Sequence, residues 1–171
     1  VDEPGTYEPE VRQLGVPIHK LPHKGSWMRW FAQLGRFLKE NGPFDIVHSH
    51  VAYAATAPIV AVAALAGVPS RIAHQHEARS VGADFRGARL RAVRHGSMAL
   101  SKLAATRKIG ITDAAIEEIA GKSWRRNKNC SVLLYGFDYS AFTGADQRAR
   151  QLRTSLELSS SDRVIGHAGR F

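Results

Sequence analysis

Four short apolar runs separated by helical segments constrain this chain more than any other feature. The runs are Phe44-Asp-Ile-Val-His-Ser-His50, Ser70-Arg-Ile-Ala-His-Gln-His76, Lys108-Ile-Gly-Ile111 and Ser131-Val-Leu-Leu134. Each is too short for a helix and is bounded by turn residues, as a buried strand is. Between the first two lies an Ala-rich segment ending at Leu65 and closed by Gly67-Val-Pro69. Between the next two, a segment ending near Ala105 carries Leu90, Val93, Ser97, Leu100 and Leu103 on one side. Ala114–Ala120, capped by Thr112 or Asp113 and ended by Gly121, precedes the last. Neighbouring strands joined through a whole helix lie parallel, since an antiparallel pair needs only a tight turn. The alternation therefore predicts an α/β fold, a Rossmann-like parallel sheet with helices on both faces.

The flanks extend this pattern. A helical turn over Tyr7–Leu14, ended by Gly15, leads into an expected strand Val16–Leu21. Ser26–Glu40 reads as an amphipathic helix, with Trp27, Trp30, Phe31, Leu34, Phe37 and Leu38 at helical spacing and Asn41-Gly42-Pro43 as its stop. Past a turn at Tyr135-Gly-Phe-Asp138 come a polar helix, Asp146–Leu156, and a linker, Ser159–Asp162. A final strand, Val164–Ala168, then runs into Gly169-Arg170. A single strand has nothing to pair with or bury against. The chain, which opens on Val1, is therefore expected to be an internal piece of a longer protein. Residues 1–158 would form one domain and residues 159–171 the start of a second. The longest uncharged run, Val51–Val68, is Ala-rich, contains Pro58 and Gly67, and falls short of the ~20 strongly apolar residues of a membrane span.

Charge narrows the partners. A formal net charge of +9 predicts attraction to anions, whether nucleic acid, an acidic membrane or a phosphorylated small molecule. The segment 79–108 concentrates it: Arg79, Arg86, Arg89, Arg91, Arg94, Lys102, Arg107 and Lys108 stand against the lone acid Asp84. A basic helix with an apolar stripe can lie on an anionic membrane, and equally can be a surface helix with a solvated face. No zinc-finger, aromatic RNA-binding or helix-turn-helix signature accompanies the charge, so nucleic acid is not an expected partner. The single Cys130 excludes an internal disulfide and fits a reducing compartment.

Two His-x-His pairs, His48/His50 and His74/His76, close the first two expected strands. Residues two apart on a strand share a face, so each pair can converge at the carboxyl edge of the sheet, where open α/β sheets bind ligands. Three readings follow. The pairs hold a metal in a hydrolase, with Glu77 as the nearby carboxylate. Alternatively, His48 and His74 hydrogen-bond within the fold while His50 and His76 face a cleft. In the third, the chain is a non-catalytic membrane-docking domain. Gly169-Arg170, directly after a strand, is a place for a phosphate, because the backbone can approach closely and the guanidinium can pair with it.

Taken in order, these segments resemble the N-terminal half of a retaining GT-B glycosyltransferase of the family 4-like, exopolysaccharide and lipopolysaccharide type. The matching pieces are Gly15-Val-Pro17, Phe44–His50, Ala66-Gly-Val-Pro-Ser-Arg-Ile-Ala-His-Gln-His76 and Ala105-Thr106. They continue with Ile109-Gly-Ile-Thr-Asp-Ala-Ala115, Tyr135-Gly-Phe-Asp138 with Phe142, and Val164-Ile-Gly-His-Ala-Gly-Arg-Phe171. The resemblance implies a nucleotide-sugar donor, a glycan or lipid-linked acceptor, and no metal or other cofactor. The absence of an Asp-x-Asp motif agrees. It further implies a cytoplasmic protein, peripheral at the inner face of the cell membrane. By that resemblance His76 is the catalytic histidine of the cleft, and His50, Glu77 and Arg79 line the acceptor side. Gly169 and Arg170 would contact the donor diphosphate. Tyr135 stands where the family often has Asn. With most donor contacts expected beyond Phe171, the chain alone is expected to be inactive.

Overall fold

A computed structural model describes residues 5–22, 25–51, 55–78, 88–159 and 161–166. Two compact units divide the chain, residues 1–135 and 136–171. In the first, four parallel strands form one sheet in the order β1-β2-β3-β4. They are β1 (Ile46–Ser49), β2 (Ser70–Gln75), β3 (Arg107–Gly110) and β4 (Cys130–Val132). Helices α1 (Glu8–Gln13) and α2 (Trp27–Glu40) precede them, and α3 (Thr56–Leu65), α4 (Ala88–Ala104) and α5 (Asp113–Ala120) connect the strands. The α/β, Rossmann-like reading holds.

The order of the strands decides where the helices lie. Crossovers between parallel strands are right-handed, so a sheet built in one direction puts its connecting helices on one side. Accordingly α3 packs on α4 and α4 on α5, with α3 against β1 and β2 and α5 against β2, β3 and β4. A second helical layer requires the strand order to reverse, and it does not reverse among these four strands.

Register shows which side chains meet those helices. Val47 pairs with Arg71, Ala73 with Lys108, and Lys108 with Cys130. Alternation therefore places Val47, Ser49, Ala73, Gln75, Lys108, Gly110, Cys130 and Val132 on one face. Ala73 closes a core with Val60, Ala104, Ala105 and Ile119, and Val47 joins Leu38, Ala63 and Val68. Cys130 and Val132 pack on Ile116, Ala120 and Trp124. At Gly110 a Cβ would lie 2.5 Å from the backbone nitrogen of Ile116, so only glycine lets α5 seat this close to β3.

Local signals set the element ends. The Ser26 hydroxyl accepts from the Met28 amide at the start of α2, and the Thr112 hydroxyl accepts from Ala115 at the start of α5. Gly121, at φ +84°, ends α5 in a conformation that side chains rarely adopt. Arg71 fastens β2 to its surroundings: its guanidinium donates to the carbonyls of Ala104, Val68 and Pro69. One of these is the last carbonyl of α4, where the helix dipole favours a cation.

One expected strand is not formed, and the described part of another is not a strand. Residues 16–22 run outside the sheet and are held by side chains instead. Trp30 Nε1 donates to the Leu21 carbonyl at 3.3 Å, His19 packs on Phe37, and Lys20 pairs with Glu8. At 164–166 the chain is likewise no strand, and Ile165 is 98% exposed. An apolar run becomes a strand only when a neighbouring edge satisfies its backbone. The rest of the expected last strand, 167–168, lies outside the described residues. In the second unit α6 (Ala145–Ser155) buries no residue, and the Asp138 carboxylate accepts from the Ser140 amide in a short 3₁₀ turn. Among the described residues no helix is long and apolar enough to cross a membrane.

Candidate functional site

The face of the sheet opposite α3, α4 and α5 carries His48, Ile72, His74, Arg107 and Ile109, because His48 pairs with Ile72, Ile72 with Arg107, and His74 with Ile109. His50 and His76 leave the ends of β1 and β2 with the same parity. The histidines thus gather at the carboxyl edge as four rings in mutual contact. His48 Nε2 lies 3.2 Å from His74 Nδ1, with the two rings stacked 10° from parallel. His50 Nδ1 lies 2.8 Å from His76 Nε2, and His76 Nδ1 lies 2.5 Å from the Tyr135 hydroxyl. Tyr135, arriving after β4, stacks on His76 with ring centroids 5.7 Å apart.

This row has two consequences. Both nitrogens of His76 are engaged, so its proton is assigned by its neighbours. If the ring accepts at one nitrogen it donates at the other, and a ligand reaching it must displace His50 or Tyr135. The second consequence is electrostatic. Desolvation, then the neighbouring imidazoles His76, His50 and His48, lower His74 to about 4. Desolvation first, then adjacent histidines, also hold His48 and His50 below their ordinary value. His74, 5% exposed, is therefore a neutral imidazole at pH 7.

Beneath the row, on the helix side, Gln75 is fully buried and its amide donates to the Glu77 carbonyl at 2.9 Å. That bond fixes the backbone as it leaves β2. Thr56, also fully buried, donates to the Val51 carbonyl and anchors the exit of β1 to α3.

The structure brings His50 and His76 together, with Glu77 exposed at the next position. Arg79, Gly169 and Arg170 lie outside the described residues, as does most of the basic segment before α4. The expected pairing of His48 with His74 is present, but of those two only His74 is buried, while His48 is exposed like His50 and His76 is half-buried. Sequence reasoning passed over Gln75 and Tyr135. Gln75 was signalled by parity, since the residue between two cleft histidines must point to the helices. Tyr135 was noted only as a departure from the family pattern.

A parallel α/β sheet with polar side chains collected at its carboxyl edge defines a ligand-binding domain of the Rossmann-like class. Residues 1–136 match the glycosyl transferase 4-like domain, and the chain belongs to that family. It is similar to a Bacillus subtilis (strain 168) protein named "Putative glycosyltransferase EpsF", 27% identical over 173 residues. That alignment covers 99% of this chain and 44% of the relative, so the chain spans less than half of that protein's length. No solved structure gives a significant match.

Proposed function

We propose that the chain is the acceptor-side half of a retaining glycosyltransferase. The whole protein would move a hexosyl group from a nucleotide-sugar donor to a polysaccharide, glycolipid or related cell-envelope acceptor. The observation that carries this reading is the position of His76, at the carboxyl edge of a glycosyl transferase 4-like domain, between His50 and Tyr135. In this role His76 meets the donor sugar at the reacting centre, and His50, Glu77 and Arg79 shape the acceptor side. Gly169 and Arg170 meet the diphosphate, where a fixed guanidinium stabilises the charge that develops on a nucleoside diphosphate leaving group. The reaction is read as needing no metal. The basic segment 79–108 would place the enzyme peripherally on the anionic inner face of the cell membrane, a contact that co-sedimentation with anionic vesicles at rising salt tests.

Kinetics of the full-length protein test the assignment. His76→Ala is expected to lower kcat by about 100-fold or more, a typical loss for a positioned proton-transfer or hydrogen-bonding group, with little change in donor binding. Arg170→Ala is expected to weaken donor binding and turnover together, because a diphosphate contact acts in ground and transition states alike. Unchanged turnover in His76→Ala removes the residue from the mechanism. The isolated chain is expected to show no transfer.

A further inference from the structure

We infer that His48, His50 and His74 form a binding site for one borderline-soft divalent transition-metal ion, of the Zn²⁺ or Co²⁺ class. Each of the three offers a ring nitrogen, and these nitrogens all lie within 4.8 Å of one another. A tetrahedral ion with bonds of 2.0–2.1 Å sets its nitrogen ligands about 3.4 Å apart. The 3.2 Å between His48 Nε2 and His74 Nδ1 is already close to that edge. The widest separation must close by about 1.4 Å to reach the same tetrahedral edge, and the exposed rings of His48 and His50 can turn to close it.

Without an ion, one nitrogen of the His48–His74 pair must carry a hydrogen toward the other. With an ion between them, both lone pairs point at it, and neither ring needs to gain charge. The outer row supplies for His50 the support that metal-bound histidines require, while the buried Nε2 of His74 has no hydrogen-bond partner among the described residues. When His50 Nδ1 donates to His76 Nε2 and His76 Nδ1 donates to Tyr135, the other nitrogen of His50 keeps a free lone pair. The rings that the sheet register brings together thus include three ligands and a chain fixing the tautomer of one. A set of three nitrogens without a carboxylate selects Zn²⁺ or Co²⁺ over Mg²⁺, which takes oxygen ligands. The set leaves a fourth position open. The site shares His50 with the acceptor side of the transfer reaction proposed above and adjoins His76, but metal binding by the chain is read directly and does not depend on that reading.

Titration of the chelator-treated chain with Co²⁺ tests it, read by the visible absorption of tetrahedral cobalt–imidazole. Saturation at one equivalent is expected, with displacement by Zn²⁺ and none by a large excess of Mg²⁺. His50→Gln and His48→Gln, both at exposed positions, are each expected to weaken binding at least ten-fold. The exposed His95→Gln should leave it unchanged. Tyr135→Phe should weaken it several-fold by loosening the tautomer of His50, an outer-partner effect of ordinary size. Circular dichroism and the melting temperature verify that each variant is folded. Absence of saturable one-equivalent binding, or binding equally strong in His48→Gln, His50→Gln and His95→Gln, overturns the site.

Discussion

At the residue scale, Tyr135 and His74 act on the histidine row from opposite sides. The Tyr135 hydroxyl bonds one nitrogen of His76 in an exposed setting. Its removal leaves that nitrogen to water, so Tyr135→Phe is expected to change stability by less than about 0.5 kcal/mol. The tautomer of His76 should change all the same. Nitrogen chemical shifts of the ring, measured in metal-free buffer, are expected to move toward a mixed-tautomer average while those of His95 stay fixed. His74 is the buried member, and its effect is on stability. Its imidazole stays neutral in the folded chain down to about pH 4, whereas the unfolded ring takes up its proton near 6.5. Below that value the unfolded state binds more protons, so stability falls as pH drops from 6.5 toward 4 and levels off for this group beneath it. His48 and His50 are displaced in the same direction and add to the loss. Urea unfolding at pH 7.5 and pH 5 with chelator present reads the slope. His74→Gln should flatten it, by an amount no larger than about 2 kcal/mol between these two pH values. An equal slope in both proteins assigns the pH dependence elsewhere.

At the scale of elements, the seating of α5 on β3 makes the sharpest demand on sequence. Gly110 meets the Ile116 backbone so closely that any side chain forces the helix outward. Gly110→Ala is expected to cost about 1–3 kcal/mol, the usual penalty of overpacking, and Gly96→Ala, with open space around it, is the internal comparison. Thermal melts of the two variants check this, and equal melting temperatures would show that α5 yields freely. The same elements show how much was legible from residues alone. Ser26 at the head of an aromatic stripe and the cap signal at Thr112 or Asp113 located the starts of α2 and α5 to within a residue, because these signals are local chemistry. The runs ending in His-x-His gave β1 and β2, and their parity brought the four rings to one edge. What escaped was non-local. Val16–Leu21 has strand composition, but Trp30, Phe37 and Glu8 bind it and no sheet edge does. The connecting helices α3, α4 and α5 lie on one face because four strands were laid down in one direction, a topological fact that no single residue encodes. The contact of Tyr135 with His76 spans 59 residues and could be known only once β4 was placed beside β3.

At the scale of the whole molecule, two independent observations divide the chain at one place. The family match ends at residue 136, and the compact unit that holds the sheet ends at Tyr135. Every residue of the three apolar clusters lies before that point. After it, α6 buries nothing, and Phe137, Tyr139, Phe142, Leu152 and Val164 are all exposed. Since burial of apolar surface is the main stabilising term, the fold's stability must reside almost wholly in the first unit. A chain ending at Gly136, which retains Tyr135 and its hydroxyl, is therefore expected to keep the cooperative transition of residues 1–171. Its melting temperature should lie within about 4 °C of the longer chain, the shift that corresponds to roughly 1 kcal/mol or less at this size. It should also bind Co²⁺ with the same stoichiometry, since every ring of the row is retained. Calorimetry of the two chains, followed by the cobalt titration on each, separates the cases. A single transition at nearly the same temperature with unchanged metal binding places fold and site together in the first unit. A large drop in melting temperature would mean that residues 137–171 contribute to the stability of the sheet.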